Sequence, residues 1–242
     1  MSRSPIQTFQ EHPILFSGPL VRAILDGKKT QTRRIIRPPH GIGWVAGGPI
    51  IRTAADLADP WFRWEREQSF AELEFRDVRC PLGKPGDRLW VRETWRLTDF
   101  ASYDTDRYSA AVEMRADGAR PFRKEGGPEM LHERCDWRPS IHMPRWASRI
   151  SLEVTDVRVQ RLQEITEAEI GTEGVRLDDG GVAACAFERA EYYQSGGSPI
   201  GGRSPEVCGF AALWDSIYGR SAGGSWGENP WVWAVSFKRV QP

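Results

Sequence analysis

Apolar and polar residues alternate in four segments of the chain, and each of these segments predicts a β-strand. The segments span residues 31–36, 88–95, 150–159 and 231–238. Alternate residues of a strand share one face. In the first segment Thr32 and Arg34 therefore point to one side, and Gln31 and Arg33 point to the other.

Helical periodicity appears in three shorter stretches, which begin and end with typical capping residues. The predicted helices span about residues 19–26, 167–172 and 205–218. Thr166 and Glu169 form a capping box before the second helix, and Ile165 and Ile170 are spaced to form the accompanying hydrophobic staple. Gly follows the first and third helices, where it favours termination.

Three further stretches are rich in Gly, Pro and charged residues and lack a clear period. They cover about residues 38–80, 99–140 and 178–203, and the second contains one candidate strand near residues 108–114. We interpret them as loop-rich inserts in a single domain that spans residues 14–240. Several strands with a few short helices predict an α+β fold, and a small mixed barrel rather than a doubly wound sheet.

Composition places the chain among ordinary globular proteins. The 242 residues include 33 basic and 33 acidic side chains, and 40% are apolar. These values exclude a disordered chain, and no apolar run approaches the ~18 residues of a membrane-spanning helix. The first residues carry no apolar signal segment. We therefore expect a cytoplasmic protein without a membrane partner, whose four cysteines are free thiols. These are Cys80, Cys135, Cys185 and Cys208.

One loose group of residues could bind a metal ion. His132, Cys135 and His142 lie within eleven positions, but their spacing fits no zinc template and a fourth ligand is missing. We therefore expect them to be structural or surface residues. The sequence predicts no metal and no other cofactor.

The densest local charge is a basic run between the first predicted helix and the first strand. Lys28, Lys29, Arg33, Arg34 and Arg37 lie within ten residues, and no acidic residue separates them. Such a run is typical of a phosphate contact or of a solvated face. Here the run lies at a helix-to-strand junction, where side chains can converge.

Pairs of tryptophan and arginine are a second feature that suggests binding. Eleven tryptophans are present, and several adjoin arginines: Arg92 lies between Trp90 and Trp95, and Trp146 follows Arg145. Such pairs suit base stacking and phosphate contacts, although tryptophan also fills β-barrel cores.

Glu173 is unusual because of its position near the C-terminal end of the predicted 167–172 helix. A carboxylate is electrostatically unfavourable there. This position indicates a cation partner, a catalytic role or a solvated loop glutamate.

Several of these segments together resemble the signature of the ASCH domain, a branch of the PUA-like superfamily. They are residues 26–34 (DGKKTQTRR), 85–93 (PGDRLWVRE) and 165–169 (ITEAE). Residues 16–19 and 229–233 resemble a longer subfamily that is common in phages and prophages. The resemblance covers roughly half of the chain and leaves the three inserts outside.

The resemblance implies a PUA-like β-barrel of five or six strands, with short flanking helices beside a cleft for RNA or modified bases. Some members of the family are amidohydrolases that remove the acetyl group of N4-acetylcytidine with a lysine, a threonine and a glutamate. Aligned by motif, these residues correspond to Lys29, Thr32 and Glu173. Another member has been described as a ribonuclease.

The three residues form a chemically coherent set. A threonine hydroxyl is a weak nucleophile and needs an adjacent base. Lys29 can be that base if burial and neighbouring cations lower its pKa toward about 7–8. Glu173 would orient the amine, although its charge opposes that shift. Arg34 or a backbone N–H would stabilise the oxyanion.

The sequence leaves two main classes of function open. The first is a metal-independent amidohydrolase that acts on an acylated nucleobase, and we favour it because Glu173 cannot bind phosphate. The second is a module that binds RNA or a modified nucleoside without reaction, and a ribonuclease on the same surface is a third alternative. The predicted substrate-binding or nucleic-acid-binding residues are Lys28, Arg33, Arg34, Arg92, Trp95, Arg145 and Trp146.

Overall fold

The computed structural model describes residues 9–41, 43–50, 59–69, 72–100, 109–119, 123–125, 136–174 and 204–241. Within these residues the fold is α+β, and strands outnumber helices, as predicted. The strands form one five-stranded sheet and two three-stranded sheets.

The described elements follow one another in this order. The strands are β1 (Glu11–Leu15), β2 (Gln31–Ile35), β3 (Val45–Ile50), β4 (Trp61–Ser69), β5 (Glu72–Arg79), β6 (Arg88–Arg92), β7 (Trp95–Phe100), β8 (Ser109–Met114), β9 (Arg123–Glu125), β10 (Ser151–Arg161) and β11 (Trp231–Val240). The α-helices are α1 (Gly18–Leu25), α2 (Glu167–Thr172) and α3 (Pro205–Tyr218). Three 3-10 helices span Ser140–His142, Arg145–Ala147 and Leu162–Glu164.

The five-stranded sheet has the order β1-β6-β10-β11-β2. β1 and β6 are parallel, and the other pairs are antiparallel. β1 is a strand that the sequence did not predict; it contains Pro13, which an edge strand tolerates. β1 and β2 are the two edges of the sheet, so backbone hydrogen bonds between the described strands do not close it into a barrel.

The helices form where the sequence predicted them. α1 has a proline in its first turn and is followed by Gly27, whose φ is 71°. α2 begins with the predicted capping box, because Thr166 Oγ1 accepts a bond from Glu169 N and the Glu169 carboxylate accepts one from Thr166 N. α3 ends at Gly219. No helix of the described segments is long and apolar enough to cross a membrane.

Hydrophobic residues cover both faces of the β11–β2 pair. Trp233 and Val235 of β11 face a core that includes α1 and the buried residues of β6 and β10. Val232 of β11 and Ile35 of β2 face a second cluster formed with α2 and α3. This burial fixes the faces of β2, and residues 31 and 33 lie on the side of α2.

Two of the three predicted inserts contain regular sheets, so their description as loop-rich was wrong. Strands β3, β4 and β5 lie within residues 38–80, and β7, β8 and β9 lie in and next to residues 99–140. Phe62 and Trp64 are buried and alternate with Arg63 and Glu65, which is a strand period in a segment rich in charge. The third insert, residues 178–203, lies outside the described residues.

The predicted strand 88–95 is divided between two sheets. β6 ends at Arg92, and β7 begins at Trp95. Between them Glu93 is buried and accepts two hydrogen bonds from Arg149, at 2.9 and 2.8 Å. Arg149 also donates to Asp117, at 2.9 and 3.0 Å. A buried carboxylate needs such a partner, and this ion pair holds the chain where it leaves the main sheet.

Candidate active site

Lys29 lies just before β2 and is buried, with 3% of its surface exposed. Its Nζ donates to Gln31 O at 2.7 Å, to Glu173 O at 2.8 Å and to Glu173 Oε2 at 3.0 Å. An ammonium group has three protons. Every proton of the Lys29 amine therefore has an acceptor.

Burial lowers the pKa of the Lys29 amine. The charge and hydrogen bond of Glu173 oppose this shift, whereas Arg34 and Arg33 add to it. The sequence predicted the same competition between desolvation and Glu173. In the structure, burial is the larger effect.

Arg33 joins the same cluster from the α2 side of β2. Its side chain is fully enclosed and donates to Glu173 Oε1 at 2.9 Å, to Glu169 Oε2 at 2.9 Å and to Gln31 Oε1 at 2.8 Å. The prediction that Arg33 contacts phosphate at a surface is wrong in this arrangement, because its guanidinium group is buried between two carboxylates. Glu173 thus binds Lys29 with one oxygen and Arg33 with the other.

Glu169 connects this buried cluster to solvent. One oxygen belongs to the capping box and to Arg33, and the other accepts a 2.7 Å bond from Arg158, which is partly exposed. Burial tends to raise the pKa of Glu169, but hydrogen bonds from Arg158 and Thr166 and the charge of Arg33 hold it below its usual range.

Thr32, the third residue of the predicted catalytic set, is close to Lys29 in sequence but is not hydrogen-bonded to the Lys29–Glu173 cluster. It lies on β2 opposite Val235, on the face away from α2, and is 2% exposed. Its hydroxyl has no hydrogen-bond partner among the described residues. The structure therefore joins Lys29 directly to Glu173, and no hydrogen bond links Thr32 to either of them.

Arg34 shares the Thr32 face, as predicted, and reaches the opposite edge of the sheet. Its Nη2 donates to Leu15 O at 3.0 Å. Leu15 ends β1 and Arg34 belongs to β2, so this side chain spans the gap between the two edge strands. We call this gap, lined by Leu15, Phe16 and Arg34, the seam.

Phe16 separates two cations at the seam. Lys29 Nζ lies 5.4 Å from the centre of its ring, and Arg34 Cζ lies 5.5 Å from it. Phe16 is buried, and the centre of its ring lies 6.2 Å from the centre of the Phe237 ring. The aromatic ring therefore excludes water from one side of the Lys29 amine while its electrons favour the charged form.

Gly174 is required for the position of Lys29. Its φ is +77°, a conformation that residues with a side chain rarely adopt. A Cβ added there would lie 3.0 Å from Lys29 Cβ and 3.1 Å from Ala23 Cβ. The chain thus turns after α2 directly against the lysine.

The other residues that were predicted to bind substrate or nucleic acid lie outside the Lys29–Glu173 cluster, in different parts of the structure. Trp95 is buried in a small core and cannot stack on a base as predicted. Arg145 is held by two 2.8 Å bonds to Glu11, and Lys28 lies 3.7 Å from Asp26. Trp146 is 41% exposed, and its ring lies edge-on to Trp95.

Arg92 differs from these residues. Its guanidinium lies over the Trp90 ring, with Cζ 4.5 Å from the ring centre, and its Nη1 donates to Ile141 O at 3.3 Å. It therefore stays at the surface of β6 with a fixed orientation.

The thiols and candidate metal ligands that lie in the described part of the chain show no cluster. Cys80 and Cys208 form no disulfide and are buried, and burial raises the pKa of the Cys80 thiol to about 12. His142 is exposed, whereas His132, Cys135 and Cys185 lie outside the described residues. Within the described ranges no three His, Cys, Asp or Glu residues are arranged to hold a metal ion.

Three contributors to the site were not predicted. Phe16 was noted only as part of a motif, Glu169 only as a helix cap, and Gln31 only as a strand residue. Gln31 accepts from Lys29 through its carbonyl and from Arg33 through its side chain. The i, i+2 spacing of Gln31 and Arg33 on one strand face was the available signal for their contact.

Comparisons with known proteins do not identify a relative for this arrangement. No protein-family model, no curated protein and no solved structure gave a match.

Proposed function

We propose that the protein is a nucleobase-directed amidohydrolase with a PUA-like fold, which removes the acyl group from an acylated base such as that of N4-acetylcytidine. The observation that carries the proposal is the buried Lys29–Glu173 pair at the start of β2, three residues before a threonine whose hydroxyl has no partner in the described part of the chain. Desolvation of the lysine and an available hydroxyl are two requirements of lysine-assisted attack by threonine. The third, a hydrogen bond between the two groups, has to form when the substrate binds, because all three Lys29 bonds go to Gln31 and Glu173.

In this function Thr32 Oγ1 attacks the acyl carbonyl carbon, and Lys29 accepts the hydroxyl proton. The tetrahedral intermediate then collapses, the C–N bond breaks, and Lys29 returns the proton to the leaving amine of the base. Water subsequently hydrolyses the acyl-threonine with Lys29 again as the base. Arg34 lies on the Thr32 face and is the side-chain candidate for stabilising the oxyanion.

The three hydrogen bonds that the Lys29 amine donates set a condition on this mechanism. With three acceptors around Nζ the amine is held as an ammonium group. To act as a base it must lose one proton and with it one of these hydrogen bonds. Burial favours that loss, and Glu173 keeps the amine oriented through the remaining bonds.

Access to Thr32 sets a second condition. The residue is buried, so an acyl group reaches the hydroxyl only if its surroundings open. The seam is the proposed route, because Arg34 shares the Thr32 face of β2. Opening breaks the Arg34–Leu15 hydrogen bond, which leaves the Arg34 guanidinium available for the substrate.

The same bond supports the PUA-like barrel as part of the proposal. The two strands at opposite edges of the five-stranded sheet are brought within side-chain reach of each other. A sheet that curls until its edges meet approaches a barrel.

A second function, a binding module without catalysis, is favoured by one observation. Lys29 is saturated with hydrogen bonds and has none to Thr32. In that function the Lys29, Arg33 and Glu173 cluster would hold β2 against α2, and ligand binding would fall to the seam.

One experiment tests the proposal and separates the two functions. The wild-type protein is incubated with a panel of acylated nucleosides, nucleotides and RNAs, and the products are read by mass spectrometry. We expect loss of an acyl group from at least one cytosine derivative, and loss of this activity in Lys29→Arg, because arginine cannot act as a base. Binding without a mass change would support the module instead. Thermal melts establish that each variant is folded.

A further inference from the structure

Two enclosed cations share one enclosed carboxylate at the start of β2. The side chains of Lys29, Arg33 and Glu173 are 2%, 0% and 6% exposed. Lys29 Nζ lies 3.0 Å from Glu173 Oε2, and Arg33 Nη1 lies 2.9 Å from Glu173 Oε1. The two positive charges therefore bind opposite oxygens of the same carboxylate, in surroundings where water screens them little.

Arg33 is held in this position by acceptors on two further residues. Its Nη1 also donates to Gln31 Oε1 at 2.8 Å, and its Nη2 donates to Glu169 Oε2 at 2.9 Å. Gln31 is fixed in turn, because its Nε2 donates to Ser236 Oγ at 3.1 Å. The guanidinium therefore turns away from Glu173 only if two other hydrogen bonds break.

The two cations differ in what they can release. Arginine keeps its charge in proteins, whereas a lysine amine can lose a proton. When Lys29 is neutral, Arg33 and Glu173 remain as a complete ion pair. Without Arg33, the same loss would leave Glu173 as a buried carboxylate that has lost both of its cations, which is costly in free energy.

Few other charges act on the Lys29 amine. Burial is the main cause of its lowered pKa, and Glu173 opposes this effect. Among the described residues, Arg34 and Arg33 are the other charged groups that influence the amine, and both lower its pKa. Arg34 lies on the other side of the Phe16 ring, so Arg33 is the arginine that meets the carboxylate itself.

We infer that Arg33 is a positioning residue for Lys29: it holds Glu173 Oε1, so that the carboxylate turns its other oxygen to the lysine, and its charge offsets that of Glu173. The carboxylate can then orient the amine without locking it as an ammonium group. The use of this amine as a base rests on the proposed function, whereas the effect of Arg33 on its titration does not.

The test is the titration of the Lys29 amine by NMR in lysine-labelled wild type, Arg33→Gln and Arg33→Lys. Both substitutions remove the planar guanidinium, but only Arg33→Gln removes the charge. We expect the pKa of Lys29 to rise by about 1 or more in Arg33→Gln and to stay near the wild-type value in Arg33→Lys. The double variant Lys29→Arg/Arg33→Lys identifies the additional lysine resonance.

Two results would overturn the inference. An unchanged titration in Arg33→Gln would mean that the arginine charge does not reach the amine. Equal rises in Arg33→Gln and Arg33→Lys would mean that a looser and wetter cluster is the cause, and Arg33 would then be only a structural residue.

Arg158→Gln is the matched control. Arg158 also donates to Glu169, at 2.7 Å, but its side chain is 44% exposed and its ion pairs in the described chain are with Glu169 and Asp156. Its replacement removes the same charge without touching Glu173, so the Lys29 titration should stay unchanged. A rise equal to that in Arg33→Gln would replace the Arg33–Glu173 contact by a general effect of net charge.

A second comparison applies if Arg33→Gln does not fold. Removing both members of a buried ion pair is tolerated better than removing one. The pKa of Lys29 should be higher in Arg33→Gln/Glu173→Gln than in Glu173→Gln, because the arginine charge is then the difference between the two proteins. Equal values would overturn the inference.

The outcomes also separate this inference from the proposed function. A Lys29 titration that depends on the charge of Arg33, in a protein that deacylates no substrate, would uphold the positioning role and contradict the amidohydrolase. In an active protein, Arg33→Gln should move the pH profile of kcat to higher pH together with the Lys29 titration. A profile that stays in place while the titration moves would contradict Lys29 as the base.

Discussion

Lys29 Nζ binds both the carboxylate and the backbone carbonyl of Glu173, at 3.0 and 2.8 Å. Glu173 is the C-cap of α2, where the helix dipole disfavours a carboxylate and favours a cation. The lysine therefore compensates two negative features at once, and Arg33 neutralises the second carboxylate oxygen. The unfavourable position of Glu173 in the sequence is explained by these two cations, irrespective of catalysis.

The burial of this cluster predicts unequal effects for its two arginines. Arg33 and Arg158 both pair with Glu169, but the Arg33 side chain is fully enclosed and that of Arg158 is 44% exposed. Arg33→Met should lower the free energy of unfolding by about 3 kcal/mol or more, since it leaves buried carboxylates short of a partner. Arg158→Met should cost about 0–1 kcal/mol. Urea unfolding of both variants measures the difference, and equal effects would contradict a structural role for Arg33.

The two glycines at the end of α2 provide a second contrast. Gly174→Ala should destabilise the protein by about 1–2 kcal/mol, because its φ is +77° and the new methyl group meets Lys29 and Ala23. Gly171→Ala meets nothing within 4 Å in a helix and should be neutral or stabilise by about 0.4–1 kcal/mol. Thermal and urea unfolding measure both effects. A harmless Gly174→Ala would mean that Lys29 is less tightly enclosed than described.

Four of the five strands of the main sheet and the helices around it were predictable because each has one simple hydrophobic period, whereas the short edge strand β1 was not predicted. β10, β11 and α3 bury a continuous stripe, and local propensity agrees with tertiary packing there. In the smaller sheets, the candidate strand near residues 108–114 corresponds to β8. β4 and β5 were missed because charged residues lie on both of their faces: Arg66 and Glu74 share the face of Phe62 and Trp64, whereas Leu73 and Phe75 are exposed on the other.

The lowered pKa of Lys29 predicts a pH dependence of stability. The unfolded chain releases this proton near pH 10.4, and the folded protein releases it at lower pH. Between these two values the unfolded state binds more protons, so the free energy of unfolding rises with pH. The free energy of unfolding of the wild type minus that of Lys29→Met, both measured by urea unfolding, should therefore increase as the pH rises toward 10.4. A flat difference below pH 10.4, followed by a decrease above it, would mean that Glu173 outweighs burial and raises the lysine pKa.

Phe16 should influence the same titration. Phe16→Leu keeps an apolar side chain against Lys29 but removes the ring electrons that favour the ammonium group. The pKa of Lys29 should fall further. The chain has five lysines, so the Lys29 resonance can be assigned by Lys29→Arg in lysine-labelled protein and followed by NMR.

Phe237→Leu is the control for this measurement. Phe237 contacts the Phe16 ring at 6.2 Å, and its replacement should disturb the same core without removing the aromatic ring beside the amine. An unchanged titration in Phe16→Leu, or an equal shift in both variants, would exclude a specific effect of Phe16 on Lys29.

The candidate site was predictable in its composition but not in its contacts. The basic run, Thr32 and Glu173 could be selected from sequence because of charge, spacing and the family resemblance. That Arg33 points into the protein while Arg34 crosses to β1 follows from which face of β2 packs on α2, and this depends on contacts more than 100 residues apart in sequence. The same long-range packing buries Trp95, which the sequence presented as a candidate for base stacking.

The most direct test of the amidohydrolase is the rate of deacylation by Thr32→Val, measured by mass spectrometry on N4-acetylcytidine and its 5′-phosphate. Valine has the shape of threonine and suits a strand, so only the hydroxyl is lost. Thr30→Val, two residues earlier, is the control, because Thr30 is exposed. We predict that the wild type and Thr30→Val release acetate, whereas Thr32→Val is slower by about 10²-fold or more with an unchanged melting temperature. Deacylation by Thr32→Val at the wild-type rate, or none by the wild type on either compound, would contradict the account.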